Sequence, residues 1–251
     1  MTGLEQVGVF FAGIGAGTIN TVVGSGTLIT FPVLLAVGYP PVVANVSNTV
    51  GLVPGAASGV HGYRRELAGQ GRRLLHLGSA SMLGGVTGGL LLLVLPAQAF
   101  KAIVPALIAL ACVLVVLQPR ITRRLRQRLE DAPAHGGVWL WLGVYGAGIY
   151  GGYFGAAQGV LLIALLGLGL RDDLQRLNAA KNALAGLVNF VAAVLFVVVA
   201  DIAVAPALLI AGGSVLGGQI GAKVGRRLPP AALRGIIVVV GVLAIAKLVT
   251  D

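Results

Sequence analysis

Acidic residues are scarce in this chain: its 251 residues hold eight Asp and Glu against 18 Lys and Arg, and charged residues of both signs make up only 10%. The long apolar runs contain no carboxylate at all. Neither a catalytic pair of acids nor a carboxylate proton relay of the kind many symporters use therefore has residues to build on there. Cysteine is nearly absent too, and the lone Cys112 excludes an internal disulfide. His61, His76 and His135 are too separated to read as a metal site. With no activated nucleophile and no nucleotide motif in the sequence, no catalytic residue, cofactor or metal is expected. The formal charge of +10 sits in short loops between apolar runs, where it reads as a topology signal rather than a nucleic-acid surface.

What is abundant is apolar sequence. Hydrophobic residues make up 57% of the chain, mean hydropathy is +0.95, and apolar runs of about 18 residues or more recur along it. This is the composition of an all-α polytopic membrane protein embedded in a lipid bilayer. The start, MTGLEQVGVFF, carries Glu5 and no basic region, so the first apolar segment is expected to be retained rather than cleaved. The 39 glycines have no collagen-like period. Gly84 with Gly88, Gly85 with Gly89, and Gly213, Gly217, Gly221 and Gly225 recur every four residues, the spacing of closely packed membrane helices.

One stretch departs from plain spans: Gly13 to Thr49, GIGAGTINTVVGSGTLITFPVLLAVGYPPVVANVSNT, sets small polar residues inside membrane-grade sequence. The run from Gln6 to Val37 would measure roughly 48 Å as one helix, against a hydrocarbon core of about 30 Å. A straight helix would need a tilt of about 50°, beyond the usual range. A break at Gly24-Ser25-Gly26 relieves this, because residues without bulky side chains let the backbone turn back. Unwound backbone survives in a bilayer only where protein or a watery cavity satisfies its polar groups, so an internal site is expected here. A second overlong run, Val138 to Leu170, is interrupted at GGYFGAAQG.

The two halves read as copies. Ser81-Met82-Leu83-Gly84-Gly85 matches Ser214-Val215-Leu216-Gly217-Gly218, Leu95-Pro96 matches Leu228-Pro229, Phe100-Lys101 matches Leu233-Arg234 and Asn45 matches Asn178, all at an offset of 133. Gly24 matches Gly155 at 131. The expected organisation is a first repeat over 1–119, a basic cytoplasmic linker over 120–137 and a second repeat over 138–251. Each repeat is a glycine-broken hairpin plus three spans, eight or ten membrane segments depending on how the broken runs are traced. If each broken run enters and leaves by one face, fifteen of the 18 basic residues fall on one side, with only Lys101, Lys181 and Lys247 elsewhere. That distribution obeys the positive-inside rule and makes the repeats inverted, with both termini outside. Duplication of this kind points to transport.

The segments INTVVGSGTLITFPVLLAVGYPPVVANVSNTVGLVPG, GYRREL and NAAKNALAGLVNF resemble the sulfite exporter TauE/SafE family of membrane permeases, and the resemblance covers nearly the whole chain. It implies a multi-pass permease of the bacterial inner membrane that moves sulfite, sulfonates or related small anions, on a duplicated fold usually described as eight spans.

The residues themselves fit such a cargo. Gly24, Ser25, Gly26 and Thr27 place backbone donors and two hydroxyls at the start of a new helix piece, where partial positive charge favours an anion, and Gln158 is a donor at the equivalent turn. Asn45, Asn48, Asn178 and Asn182 add neutral amides within apolar spans, although hydrogen bonds between helices account for many such residues. Lys181 is an ammonium inside a span, which costs about 2.5 to 3.5 kcal/mol on insertion scales and demands water, a partner or an anion. Either it supplies the positive charge for the anion or it snorkels toward Arg176. The expectation is a carrier for a small oxyanion that works by alternating access, with an exporter's direction favoured by the negative cell interior. A membrane-embedded subunit or enzyme is the alternative, and homo-oligomerisation stays open.

Overall fold

The computed structural model describes residues 1–128, 137–224 and 230–250. Among them the chain is helical throughout, with no strand: α1 (Gly3–Val22), α2 (Thr27–Ala36), α3 (Pro41–Gly62), the short α4 (Arg64–Leu67), α5 (Gly71–Val94), α6 (Ala97–Arg128), α7 (Val138–Tyr153), α8 (Gln158–Gly169), α9 (Leu174–Val199), α10 (Val204–Val224) and α11 (Pro230–Thr250). Local chemistry sets several boundaries. Thr2 caps α1 in a reciprocal box, its hydroxyl accepting from Glu5 N–H at 3.3 Å while the Glu5 carboxylate accepts from Thr2 N–H at 2.7 Å. Glu5 is thus a capping acid at the chain's start. Asp173 caps α9 by accepting from Gln175 N–H at 2.9 Å, and Pro41 opens α3 where its missing N–H costs nothing. α6 continues through Arg120 to Arg128, so the first part of the expected linker is helix, and residues 129–136 lie outside the described residues.

Four helices are long and apolar enough to cross a membrane among the described residues: Gly71–Val94, Ala97–Arg120, Leu174–Val199 and Val204–Lys223. The helical, apolar chain is a polytopic membrane protein. Both overlong runs are hairpins. α2 folds back along α1, with Gly26 against Ala16 and Ile29 beside Gly15, and α8 folds back along α7, with Gln158 against Gly151 and Gly169 against Leu140.

Packing partners follow the small residues. α1 lies along α10 in parallel, with Gly13 against Ile210, Gly17 against Ser214 and Gly221 against Thr18. α5 lies along α7, also in parallel, through Gly84, Gly88, Gly148 and Gly152. At Gly88 and Gly217 an added Cβ would overlap a backbone carbonyl of the facing helix, which is why a glycine stands there. α3 runs parallel to α10, and α5 parallel to α9. Gly225 of the expected glycine series lies outside the described residues.

These contacts gather the C-terminal ends of α3 and α10 and the N-terminal ends of α5 and α9 at one end of the molecule, where Arg64, Arg65, Arg73, Arg176 and Lys223 sit. There the Asp172 carboxylate is clasped by two arginines, Arg73 Nη1 at 2.6 Å and Arg176 Nε at 2.8 Å. Arg176 also donates to Ala68 O, and Gln70 donates to Arg176 O, so the α4–α5 loop is stapled to the start of α9. Partial burial alone would raise the Asp172 pKa. The Arg73 hydrogen bond, the Asp173 N–H and the two guanidinium charges outweigh it and hold the carboxyl below its ordinary value.

Candidate functional site

The tips of the two hairpins meet in the protein interior. Val23 and Gly24 N–H groups both close on Ile19 O to end α1, and Gly24 then takes a left-handed φ of 89°. The second tip repeats the device: Phe154 and Gly155 N–H close on Tyr150 O, and Gly155 has φ 72°. Such angles are readily open to glycine alone. Gly159, in the first turn of α8, donates its N–H to Gly24 O at 3.0 Å, and a Cβ on either glycine would overlap the backbone of the other. The tips are therefore in direct contact.

Each broken helix leaves carbonyl groups without intrahelical partners, and these must be satisfied when buried. Here the opposite half of the chain satisfies them. Asn45 on α3 donates to Tyr153 O, the last residue of α7, at 3.0 Å. Asn178 on α9 reaches Thr21 O near the end of α1 at 3.5 Å and donates to the Tyr63 hydroxyl at 3.0 Å. Asn182 donates to the same Thr21 O at 3.1 Å.

Lys181 joins them. It is 1% exposed, and its Nζ donates to Thr21 O at 3.2 Å and Asn20 O at 3.3 Å. It does not snorkel toward Arg176. An ammonium at a helix C-terminus sits at the negative end of the macrodipole, a placement worth up to about 2 kcal/mol in partly buried geometries. No acidic side chain pairs with it among the described residues. At the matching position of the first half stands Asn48, which keeps to its own hairpin: Asn48 Nδ2 donates to Thr27 Oγ1 at 3.2 Å, and Thr30 Oγ1 donates to Asn48 Oδ1.

The expected site residues therefore divide. Asn178, Lys181 and Asn182 converge on the end of α1, Asn48 and Thr27 are paired with each other, and Gly24, Ser25, Gly26 and Gln158 form the touching tips. Ser25 Oγ, Gln158 Nε2 and Asn45 Oδ1 are buried without a hydrogen-bond partner. Between α1, α3 and α9 lies a cavity of about 10 Å³, bordered by Gly17, Asn20, Thr21, Gly55, Asn182 and Gly186. That is room for about one water and not for an oxyanion. Packed against the second tip are Phe31, Phe100 and Phe154, with ring centroids 5.1 to 6.5 Å apart and edge-to-face geometry. Each such pair adds about 0.5 to 1.5 kcal/mol beyond burial and holds α2 and α6 on the Phe154 turn.

Sequence reasoning missed four participants. Asn20 and Thr21 act through backbone carbonyls, which no side-chain pattern reveals, although their place just before the break was a usable signal. Tyr63 stands at the end of α3, next to the basic segment, and only the fold brings it to Asn178. Gly159 acts by its N–H on the other tip.

The chain is 27% identical over 255 residues to the "Probable membrane transporter protein YfcA" of Escherichia coli strain K12, covering 97% of this chain and 89% of that protein. It is 27% identical over 258 residues to a "Probable membrane transporter protein" of Haemophilus influenzae, covering 99% and 96%, and 26% identical to the "Probable membrane transporter protein ORF9" of a Sinorhizobium species. No solved structure matches significantly. The family model described as "Sulfite exporter TauE/SafE" matches residues 9–248, taking in both hairpins and the helices that cap them, so the chain belongs to the sulfite exporter TauE/SafE family of membrane permeases.

Proposed function

We propose that the protein carries a small oxyanion, sulfite or an organosulfonate, across the bacterial inner membrane by alternating access between two inverted repeats. The observation that carries this reading is the contact of two broken-helix tips that hold buried, unpartnered donors, Ser25 Oγ and Gln158 Nε2. Parting the tips would also release the Gly159 N–H from Gly24 O, at the positive end of α8. Lys181 supplies the positive charge, and the amides of Asn45, Asn48, Asn178 and Asn182 supply further neutral donors once the cleft opens. One cation among neutral donors suits a carrier, which must release its cargo as well as bind it.

The inverted arrangement is supported by directions of packing. α1 and α3 run parallel to α10, while α7 and α9 run parallel to α5. Exchanging each helix of one half for its counterpart in the other turns each of these pairs into another of the set, as an approximate two-fold axis in the membrane plane requires. The cluster of arginines and Lys223 at one end favours that end as the cytoplasmic one.

Purified protein in liposomes tests the proposal. Flux of sulfite or methanesulfonate above that of protein-free vesicles is the expected result, and no flux of either anion would overturn it. The same assay separates this reading from that of a subunit serving another protein, since a subunit moves nothing alone.

A further inference from the structure

The Lys181 ammonium occupies an unusual seat. Two backbone carbonyls at the end of a broken helix bind it, and the amides of Asn178 and Asn182 share one of those carbonyls. Discontinuous helices present such carbonyl ends to coupling cations in transporters. In this chain the cation is covalently attached to α9, so loss of a proton or movement of the helix frees it from its seat.

The surroundings do not pin the charge. Among the described residues, the titratable or charged groups on elements packed against α9 are Glu5 at the far end of α1, His61 and Tyr63 at the end of α3, and Arg64, Arg65 and Glu66 on α4. α5 adds Arg72, Arg73 and His76, α7 adds Tyr145, Tyr150 and Tyr153, and α8 adds none. Asp173 and Arg176 belong to α9's own first turns. None of the acids forms an ion pair with Nζ. Tyr63 is linked to the seat through Asn178. The charged form is held by the Asn20 and Thr21 carbonyls, so loss of the proton weakens the hold of α9 on the end of α1.

We propose that Lys181 is the coupling site of the carrier: one proton, borne on Nζ, crosses together with each anion. This rests on the transport reading above. An anion entering beside the protonated amine forms a neutralised pair, which can be buried at far lower cost than either charge alone. On the release side the anion departs and the Nζ–H bond breaks, the proton passing to water while the electron pair stays on nitrogen. The empty carrier then returns with a neutral amine and regains a proton from water on the other side. The chain so replaces the carboxylate relay that its spans lack.

The test uses full-length protein in liposomes loaded with a pH-sensitive dye, with the membrane potential clamped. Methanesulfonate is the probe, because a sulfonate stays ionised near neutral pH whereas sulfite itself takes up a proton there. In the wild type, acid outside is expected to raise methanesulfonate uptake several-fold, and entry of the anion should acidify the lumen. Lys181→Gln should slow anion movement, since the charge that binds the anion is gone, and the flux that remains should ignore the pH gradient and shift no protons. Lys181→Arg, which keeps a charge it cannot release, should lose the same pH response and provides the test if the Gln variant does not insert. Wild-type methanesulfonate flux without proton movement would remove Lys181 coupling and leave the transport reading standing. Proton-coupled flux in either variant would equally overturn it, and absence of any anion flux in the wild type overturns the transport reading itself.

Discussion

Replacing Gly24 by alanine tests the tip contact, because the structure separates two costs there. The left-handed φ of 89° costs an L-residue about 1 to 2 kcal/mol. The added Cβ would also overlap Gly159 Cα, and forcing atoms into a packed interior costs about 1 to 3 kcal/mol. Together these make about 2 to 5 kcal/mol, a large part of the few to fifteen that typically hold a protein folded. Two other glycines isolate the components. Gly38 has φ 98° but open space around its Cβ position, so Gly38→Ala meets only the conformational cost. Gly159→Ala meets the overlap with Gly24 without a left-handed angle. Thermal unfolding in detergent and anion flux in liposomes are the readouts. Gly24→Ala should be the least stable of the three and the slowest carrier, with Gly159→Ala more impaired in flux than Gly38→Ala. Gly24→Leu and Gly26→Leu should abolish flux outright, the second because its Cβ would run into Ala16 O. If Gly24→Ala matches Gly38→Ala in both readouts, the tips do not touch as described.

Three other outcomes are expected. Cysteine labelling from outside intact cells should reach Gly3→Cys and Asp251→Cys but neither Arg126→Cys nor Arg227→Cys, and labelling of Arg227→Cys without Arg126→Cys would refute the inverted arrangement; Arg227 and Asp251 lie outside the described residues. Asn48→Leu should destabilise the protein by about 1 to 3 kcal/mol in chemical unfolding, since it strands the buried Thr27 hydroxyl and leaves Thr30 only its long contact to Gly26 O, and an unchanged midpoint would show that the Asn48 bonds are not formed. Asp172 has a folded pKa below its unfolded value, so its contribution is fully present above the unfolded pKa and is lost as pH falls through the folded one; Asp172→Asn should lower stability at neutral pH and narrow its gap from wild type in acid, and a constant gap across that range would count against the arginine clasp.

The sequence by itself determined much of this protein. Apolar runs longer than a bilayer with glycines in their middle pointed to a break in each, because one straight helix of that length overfills the hydrocarbon core, while the choice between hairpin and kinked span fell to the fold. The four-residue glycine spacing marked α5 and α10 as closely packed helices, since only side chains of that size admit such close backbones, and the fold supplied α7 and α1 as their partners. The segments shared with the family were legible in the same way. What Lys181 and the asparagines touch was not legible. Their partners are carbonyls more than a hundred residues away, exposed by a break whose direction depends on how the halves pack, and a backbone oxygen leaves no mark in the sequence. Only the tertiary structure could decide that each half caps the broken helix of the other, and that the lysine points along the membrane's interior to the end of α1 rather than out to the basic loop. The physical reason is that burial obliges every polar group to find a partner, while the fold alone determines which partners come within reach.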